Sequence, residues 1–451
     1  MMVDRFVLPV SGSPTPVRFP PITRDTLANG CSVWAMRHTA VPLVTVVLIV
    51  NRGSADDPAD RPGLASLTGD MLDEGAGTRE AIALAEAFAR LGTELDIDVG
   101  PDVTVIGVTC LARFLTPVLD LIADVVARPR FAEPDFARVR DLRRNRLRQL
   151  SRSAGAVADR AFSGAVFGDH PYGHGGLGTT AALDAMTRDE ARSLWSDGFV
   201  PDGSTLIVVG DVAPGDVMAA ARQSLGSWIG SGRPSAVPAA STAVPAPEVR
   251  LVDRPGAPQS VLRVGHLGPP RRNDSYHVLV TLNAIVGGQF VSRINRNLRE
   301  EKGITYGARS AFDFRRASGS FVCDTSVQAD ATAVAVGEIL GELDRLRAEA
   351  VPGDELAIAR ASLTRGYVRH FETATQVARG CASLVTYGLD DATFDRFVPT
   401  VEAVTVSDLA RAAKTFVRPA DAAVVVVGDA ARCHGALEAL GRPVVITTTE
   451  F

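Results

Sequence analysis

Apolar residues follow two different spacings along this chain, and each spacing predicts one kind of element. Continuous runs rich in Val and Leu, at 31–36 and 43–50, predict buried strands. Helical spacing predicts helices at 63–74, 81–91, 115–127 and 135–151. Two shorter strands, 95–98 and 103–108, flank the turn Gly100-Pro101-Asp102. This order of strand, helix, strands, helices and strand predicts an α+β fold, in which helices pack on one face of a mixed sheet.

The same pattern occurs twice. Val-Val-Gly-Asp begins at Val208 and again at Val426, 218 positions later. Thr187 and Thr405 keep the same offset, so the match extends beyond one short motif. Because repeats of solenoid proteins are far shorter, a period of this length predicts two domains of one fold.

A segment rich in Pro, Ala and Ser separates the two copies. It covers residues 230–248, and this composition is typical of an exposed, semi-extended linker. The predicted domains are therefore residues 1–229 and residues 249–451.

Composition narrows the class of protein. The 451 residues are 46% hydrophobic and 22% charged, which is ordinary for a globular protein. The net charge of -5 does not favour binding to nucleic acid, and no apolar run is long enough to span a bilayer. The five cysteines are far apart in sequence and predict neither a disulfide framework nor a Cys-x-x-Cys metal site. Residues 1–20 lack the pattern of a signal peptide, so the cytoplasm is the default expectation, or the periplasm if the N-terminus was trimmed.

The segment 63–72 reads Gly-Leu-Ala-Ser-Leu-Thr-Gly-Asp-Met-Leu. It resembles the signature helix of the insulinase family, which includes the mitochondrial processing peptidases and reads Gly-Leu-Ala-His-Leu-x-Glu-His-Met-Leu. His-Pro-Tyr-Gly at 170–173 and Leu-Gly-Thr at 177–179 follow in the order typical of that family. The resemblance extends over residues 22–445 and implies two homologous domains of the insulinase type.

The resemblance also shows which family residues this chain lacks. In the family, His-x-x-Glu-His supplies two zinc ligands and the glutamate that activates the zinc-bound water. Here those positions hold Ser66, Gly69 and Asp70. A further glutamate ligand normally comes from a later helix, and the matching position is Asn145 or Arg146. The chain is therefore expected to hold no metal, with zinc in a partner subunit.

Two other arrangements could in principle bind a metal. Asp70, Asp73 and Glu74 lie within one helical turn, and a solvated acidic turn is the expectation there. His170 and His174 are four residues apart, but the proline and glycine between them oppose a helix, so a loop contact is expected.

The second half carries a motif that resembles the family's second signature. It opens with Gly287 and Gly288, which the resemblance assigns to a substrate-binding loop. Phe290, Ile294 and Leu298 predict the apolar stripe of a helix, and a glycine at 303 fits the end of that helix.

Arg299 then falls on the last helical turn, and Tyr306 on the strand that follows. The resemblance implies that these two side chains contact the carbonyl or oxyanion of a peptide substrate. The alternative is a surface arginine paired with Glu300 or Glu301, beside a tyrosine packed in a hairpin.

The resemblance implies a divided active site. The chain is predicted to be the non-catalytic, substrate-binding subunit of a heterodimeric zinc metalloendopeptidase, with a homologous zinc-bearing partner and an extended peptide substrate. An isolated chain could form a homodimer through the same surface. The alternatives are an inactive core subunit and a peptide-binding scaffold. A self-sufficient hydrolase with an unusual mechanism is not favoured, because no Ser/His/Asp pattern is seen and Gly-x-Ser-x-Gly is absent.

One predicted helix is unusually rich in arginine. Seven arginines lie between 138 and 152, opposite an apolar stripe formed by Phe136, Val139, Leu142, Leu147 and Leu150. The arginines form either a solvated basic face or the wall of a chamber that faces a partner.

Overall fold

The computed structural model describes residues 18–230, 232–244, 246–449 and 451. Two six-stranded sheets, one in each half of the chain, carry the fold. The strands of the first half are β1 (Thr23–Thr26), β2 (Ser32–Arg37), β3 (Leu43–Val50), β4 (Gly75–Ala76), β5 (Arg79–Glu80), β6 (Asp96–Val99), β7 (Thr104–Leu111) and β8 (Thr205–Gly210). Its helices are α1 (Leu64–Leu72), α2 (Ala81–Arg90), α3 (Leu115–Ala127), α4 (Glu133–Arg152), α5 (Ala154–Phe167), α6 (Thr180–Ala185), α7 (Arg188–Gly198) and α8 (Pro214–Leu225).

The second half repeats this succession. Its strands are β9 (Val249–Asp253), β10 (Gln259–Gly268), β11 (Thr305–Asp313), β12 (Gly319–Gln328), β13 (Ala423–Gly428) and β14 (Val444–Thr447). Its helices are α9 (Tyr276–Val286), α10 (Arg293–Asn295), α11 (Thr332–Ala348), α12 (Gly353–Thr364), α13 (Ala374–Tyr387), α14 (Thr393–Ala403), α15 (Val406–Phe416) and α16 (Ala430–Glu438). The short α10 continues directly as a π-helix, Arg296–Glu301.

The two sheets share one strand order. The first runs β1-β2-β8-β3-β7-β6, and the second, from the corresponding edge, runs β14-β9-β13-β10-β12-β11. In each sheet the strand of the Val-Val-Gly-Asp repeat is central, with one parallel and one antiparallel neighbour. Thr187 and Thr405 cap corresponding helices, α7 and α15, with the same reciprocal hydrogen bonds to the third helical residue. The internal repeat seen in the sequence is therefore a repeat of structure.

Central strands are buried on both faces, which explains their continuous apolar sequence. In β3, Val46 and Leu48 face the helices of the first half, while Val47 and Ile49 point to the opposite face. The helices α1, α2, α3, α4, α7 and α8 cover the first of these faces. A matching core in the second half is built on the alternate residues of β13.

The opposite face of each sheet is covered by a helix from the other half. Helix α13 packs on β3 and β8, with Val377 and Cys381 fully buried among first-sheet residues. Helix α5 packs on β10 and β13, where Val157 and Phe162 join the core of the second sheet. Each sheet thus has helices of its own half on one face, as predicted. On its other face each sheet has one helix from the other half, so the two halves exchange α5 and α13.

Polar contacts also join the halves. Arg316 donates to Asn51 Oδ1 at 2.7 Å, and its backbone N–H donates to Asp102 at 3.0 Å. Tyr172 donates its hydroxyl to the same Asp102. In the predicted linker, Ser235 donates its backbone N–H to the Asn51 carbonyl oxygen, so this segment packs against the first half.

Most predicted elements lie within two residues of the observed ones, and α3 coincides with its prediction. The predicted helical stripe at 290–298 is wrong at Phe290, which lies in the turn before α10 and is 63% exposed, whereas Ile294 and Leu298 are buried. Most of the N-terminal segment in which no signal peptide was found lies outside the described residues. Within the described part of the chain, no helix is long and apolar enough to cross a membrane.

Candidate functional site

Helix α1 carries the three altered motif positions. The buried carboxylate of Asp57 fixes the start of this helix, because it accepts the backbone N–H groups of Gly63 and Ala65, each at 2.6 Å. Burial raises the pKa of Asp57 to about 7. The helix is almost entirely buried, and Asp70 is its one exposed residue.

An arginine from α4 lies against the altered positions. The Nε of Arg143 donates to Asp70 Oδ2 at 2.6 Å, and another nitrogen of the same guanidinium donates to Ser66 Oγ at 2.6 Å. Only 4% of the Arg143 side chain is exposed, whereas Asn145 and Arg146 are both exposed. Asn145 or Arg146 is the residue predicted to match the family's third zinc ligand. In the structure it is Arg143 of α4, and neither of these two, that faces the altered positions of α1. The reason is helical register, since Val139, Arg143 and Leu147 are four residues apart and share the buried face.

The third altered position is closed by packing. A Cβ atom on Gly69 would lie 2.5 Å from Cγ2 of Val99, on the edge strand β6. A glutamate side chain at this position therefore has no room unless the Val99 side chain or β6 moves. Because a guanidinium is bonded to both ligand positions and Val99 packs against the glycine at the position of the general base, these residues do not fit zinc.

The other two arrangements considered for metal binding have local partners. Glu74 accepts a hydrogen bond from Arg138 of α4, and burial raises the pKa of Asp73 to about 6. His170 caps the short turn 171–173 through Nδ1, and its Nε2 lies 2.8 Å from the carbonyl oxygen of Ala239. Across residues 18–230, 232–244, 246–449 and 451, no three His, Cys, Asp or Glu side chains are grouped so that they could hold a metal ion.

Some arginines of α4 form ion pairs with carboxylates of this chain. Arg138, Arg143 and Arg144 form ion pairs with carboxylates of α1, of the adjoining turn and of α6. Leu142, which was predicted to lie in the apolar stripe, is 56% exposed, so that part of the prediction is wrong. Arg146 and Arg148 are exposed, and a role for them towards a partner remains a prediction.

The loop of Gly287 and Gly288 is tied closely to β11. Ser310 donates its backbone N–H to the Gly287 carbonyl oxygen at 3.0 Å, and a Cβ atom on Gly287 would lie 2.6 Å from that nitrogen. Asn295 bridges the same region, because it donates to the Phe290 carbonyl oxygen and accepts from the Ala308 N–H. These bonds hold the loop, the π-helix and the edge strand as one unit.

Arg299 and Tyr306 both lie on this unit. Arg299 belongs to the π-helix, which packs against β11, and its guanidinium lies 4.2 Å from the centre of the Phe290 ring. It forms no ion pair within the described residues, so the alternative pairing with Glu300 or Glu301 is not observed. Tyr306 is 93% exposed, so it is not packed in the hairpin. A π-helix at this point is of interest because such segments are frequent at functional sites.

Sequence reasoning missed three contributors: Arg143 as the residue facing α1, Val99 as the side chain filling the place of the base, and Phe290 as the platform for Arg299. The first had a signal, namely its four-residue spacing from Val139 and Leu147. The other two depend on contacts between separate segments, which local spacing does not reveal.

Comparison with known proteins identifies the class. The model of the insulinase (peptidase M16) family matches residues 33–180, and the model of the peptidase M16 inactive domain matches residues 185–363. The chain belongs to the insulinase family. The predicted family and the predicted α+β fold class are thus confirmed.

One relative is similar in sequence to this chain, and two solved structures are similar in fold. An uncharacterized zinc protease of Mycobacterium leprae is 28% identical over 373 residues, which cover 81% of this chain and 83% of the relative. The crystal structure of a peptidase M16 inactive domain from Pseudomonas fluorescens superimposes with a TM-score of 0.85 at 22% identity, over 95% of this chain and 100% of that chain. A chain of complex III2 from Candida albicans superimposes with a TM-score of 0.79 at 14% identity, over 94% of this chain and 100% of that chain.

Proposed function

We propose that this chain is the non-catalytic, substrate-binding subunit of a two-chain zinc metalloendopeptidase. The observation that carries the proposal is the availability of Arg299 and Tyr306. Tyr306 lies on the edge strand of the second sheet and Arg299 on the π-helix beside it, and neither is held by a carboxylate of the described chain. The zinc would belong to a homologous partner subunit, and an isolated chain could pair with a second copy of itself through the same surface.

The chemistry of the pair suits peptide hydrolysis. When a water molecule attacks a peptide carbonyl, negative charge develops on the carbonyl oxygen, and fixed donors stabilise it. Arg299 offers a permanent positive charge with forked N–H donors, and Tyr306 offers a hydroxyl donor. The Phe290 ring and the bonds of Asn295 restrict the segment that carries both residues, which reduces the entropy lost when substrate binds.

The residues around α1 in the first half favour a site that cannot bind zinc over a site that is merely empty. The guanidinium of Arg143 is bonded to the residues at both ligand positions, and Val99 packs against the glycine at the position of the base. A chain with this arrangement has no means of activating water by its own zinc, and the catalytic metal would have to come from elsewhere.

Two of the four sheet edges are corresponding places where a peptide substrate could pair. Strands β6 and β11 lie at the corresponding edges of the two sheets, and each can accept an extended peptide as an additional strand. Strand β11 is the better candidate, because Tyr306 is its second residue.

A structural role is the second candidate. It is favoured by the likeness of the fold to a chain of complex III2 from Candida albicans. As a core subunit or a peptide-binding scaffold, the chain would need a stable assembly but no cleavage, and Arg299 and Tyr306 would be dispensable.

The two candidates separate in an assay of peptide cleavage. The chain is mixed with a homologue that has an intact His-x-x-Glu-His motif, and initial rates are compared for Arg299→Gln, Tyr306→Phe and the unchanged chain. Loss of one oxyanion donor is expected to lower kcat by about 100-fold or more, with little change in KM. Arg192→Gln, an exposed arginine on α7, is the matched control and should keep full activity. Rates that do not respond to either substitution would favour the structural role.

A further inference from the structure

A large cavity, with a volume of about 1120 Å³, lies in the second half. It opens between α9, α12, α13 and α14, beside the end of β11. Eight aromatic rings line it, and they are Tyr276, Phe312, Phe314, Tyr367, Phe371, Tyr387, Phe394 and Phe397. These are a large share of the rings in a chain that has only 18 Phe and 5 Tyr.

The rings support one another, so the cavity is preformed. Tyr367 and Phe397 stack in parallel with their centroids 4.3 Å apart, and Phe314 packs against Tyr276 at 5.0 Å. The hydroxyl of Tyr387 donates to the Phe314 carbonyl oxygen at 3.2 Å. Rigid aromatic walls bind apolar side chains with little loss of conformational entropy.

Three arginines and two carboxylates line the cavity. Arg271 lies over the Tyr276 ring at 3.4 Å, and burial lowers its pKa. Arg369 and Arg379 also line the cavity, and none of the three arginines forms an ion pair within the described residues. The lining carboxylates are Glu372 and Asp313, and Asp313 is bound by Arg315 at 2.8 Å. A partly buried guanidinium without a carboxylate partner favours an anionic ligand.

We propose that this aromatic cavity binds a segment of the peptide substrate in which an aromatic side chain is followed by an acidic one. The rings take the aromatic side chain, and Arg271 with Arg379 takes the carboxylate. The chain itself offers an example of the aromatic half of this recognition at the rim. The Phe19 ring lies 5.2 Å from the Phe371 ring and 4.6 Å from the Phe394 ring, and its backbone N–H donates to Asp395 at 2.6 Å.

The cavity is also placed to act with the proposed peptide site, and this step rests on the proposed function. Phe312 and Asp313 lie at the far end of the strand on which Tyr306 lies near the start. Six residues of extended chain span about 20 Å. A peptide that contacts Tyr306 and runs along β11 would therefore bring a residue about six positions away to the cavity. The inferred preference is for substrates with an aromatic and acidic pair at that distance from the cleaved bond.

The test measures peptide binding by the full chain alone, so it depends on neither zinc nor a partner. A short fluorescein-labelled Ala/Ser peptide with an amidated Phe-Glu end is compared with peptides ending in Phe-Gln and Ala-Glu by fluorescence anisotropy. The Phe-Glu peptide should bind about tenfold more tightly than either, the scale of one charge-assisted hydrogen bond or one buried ring. Arg271→Gln should abolish the preference for Glu over Gln. Arg379→Gln should do the same, and because the Arg379 side chain is exposed, this second variant is expected to fold normally.

Arg272→Gln is the matched control, because Arg272 is the exposed neighbour of Arg271 and does not line the cavity. A benzophenone in place of the Phe side chain should cross-link to residues 362–397. Equal binding of the Glu and Gln peptides, an equal effect of Arg272→Gln, or binding only after residues 1–17 are removed would each overturn the proposal. Because no cleavage is measured, such a result would leave the proposed split active site untouched, and inactivity of a two-chain mixture would not alter this binding.

Discussion

Restoring the three missing motif residues should not restore a tight zinc site on α1. The substitutions are Ser66→His, Gly69→Glu and Asp70→His, which together recreate His-x-x-Glu-His. The helix already has the geometry to place two histidines on one face. The residues around α1 oppose zinc binding, and a free-energy cost can be worked out for two of them.

The first neighbour is Arg143, whose guanidinium nitrogens lie 2.6 Å from Asp70 and 2.6 Å from Ser66. At about 4 Å and an effective dielectric constant of about 20, one positive charge opposes Zn²⁺ by about 8 kcal/mol. Even a quarter of that, about 2 kcal/mol, weakens zinc binding about thirty-fold. The second neighbour is Val99, which a Cβ atom on residue 69 would approach to 2.5 Å. Such overpacking costs about 1–3 kcal/mol.

Zinc affinity can be measured by competition with a chromophoric chelator, with circular dichroism to verify the fold of each variant. Adding Arg143→Glu to the triple variant should tighten zinc binding by at least about thirty-fold, because it removes the cation and supplies a carboxylate ligand. Arg146→Glu in the same background is the matched control, since Arg146 is exposed on the same helix, and no gain is expected from it. Tight binding by the triple variant alone, or an equal gain from Arg146→Glu, would refute the assigned role of Arg143.

Three further predictions concern stability and reactivity. The raised pKa of Asp57, about 7 against about 3.9 unfolded, means that the folded chain keeps a proton which the unfolded chain releases, so stability should fall by about 1.4 kcal/mol per unit as pH rises from about 4 to 7. Urea unfolding of Asp57→Asn should show a flatter pH profile, and equal slopes would contradict the buried acid. Phe162→Ala should destabilise the chain by about 3–5 kcal/mol in one cooperative transition, because α5 joins the two halves, whereas exposed Ile82→Ala should change little; two separate transitions would argue against the exchange. All five cysteines are buried, and burial raises the pKa of Cys31 and Cys381 to about 12, so Ellman's reagent should label them at pH 8 only in urea; rapid labelling of the native chain would contradict this burial.

Much of the fold could be predicted from the sequence, because the strongest signals are local. The apolar run of β3 and the repeated Val-Val-Gly-Asp strands indicate buried strands, and the offset between the repeats indicates two copies of one fold. The exchange of α5 and α13 could not be predicted in this way. Their apolar residues would suit either sheet, and only the three-dimensional arrangement of the halves determines which sheet each helix covers.

The candidate site was predicted less completely. The altered positions on α1 are visible in the sequence as departures from a known motif, and Arg299 and Tyr306 are visible as matches to one. The register of α4 was misjudged, because an apolar Leu142 was expected inside and an arginine outside. Leu142 is exposed and Arg143 is buried, since Asp70 and Ser66 provide the partners that allow a guanidinium to be buried. Hydrophobic periodicity carries no information about such partners.

The most direct test of the divided active site is peptide cleavage by this chain alone, by a homologue with an intact His-x-x-Glu-His motif alone, and by the two mixed, each with and without a zinc chelator. The account predicts no cleavage by this chain even with added zinc, and chelator-sensitive cleavage by the mixture well above that of the homologue alone. Cleavage by this chain alone, abolished by a chelator and restored by zinc, would contradict it.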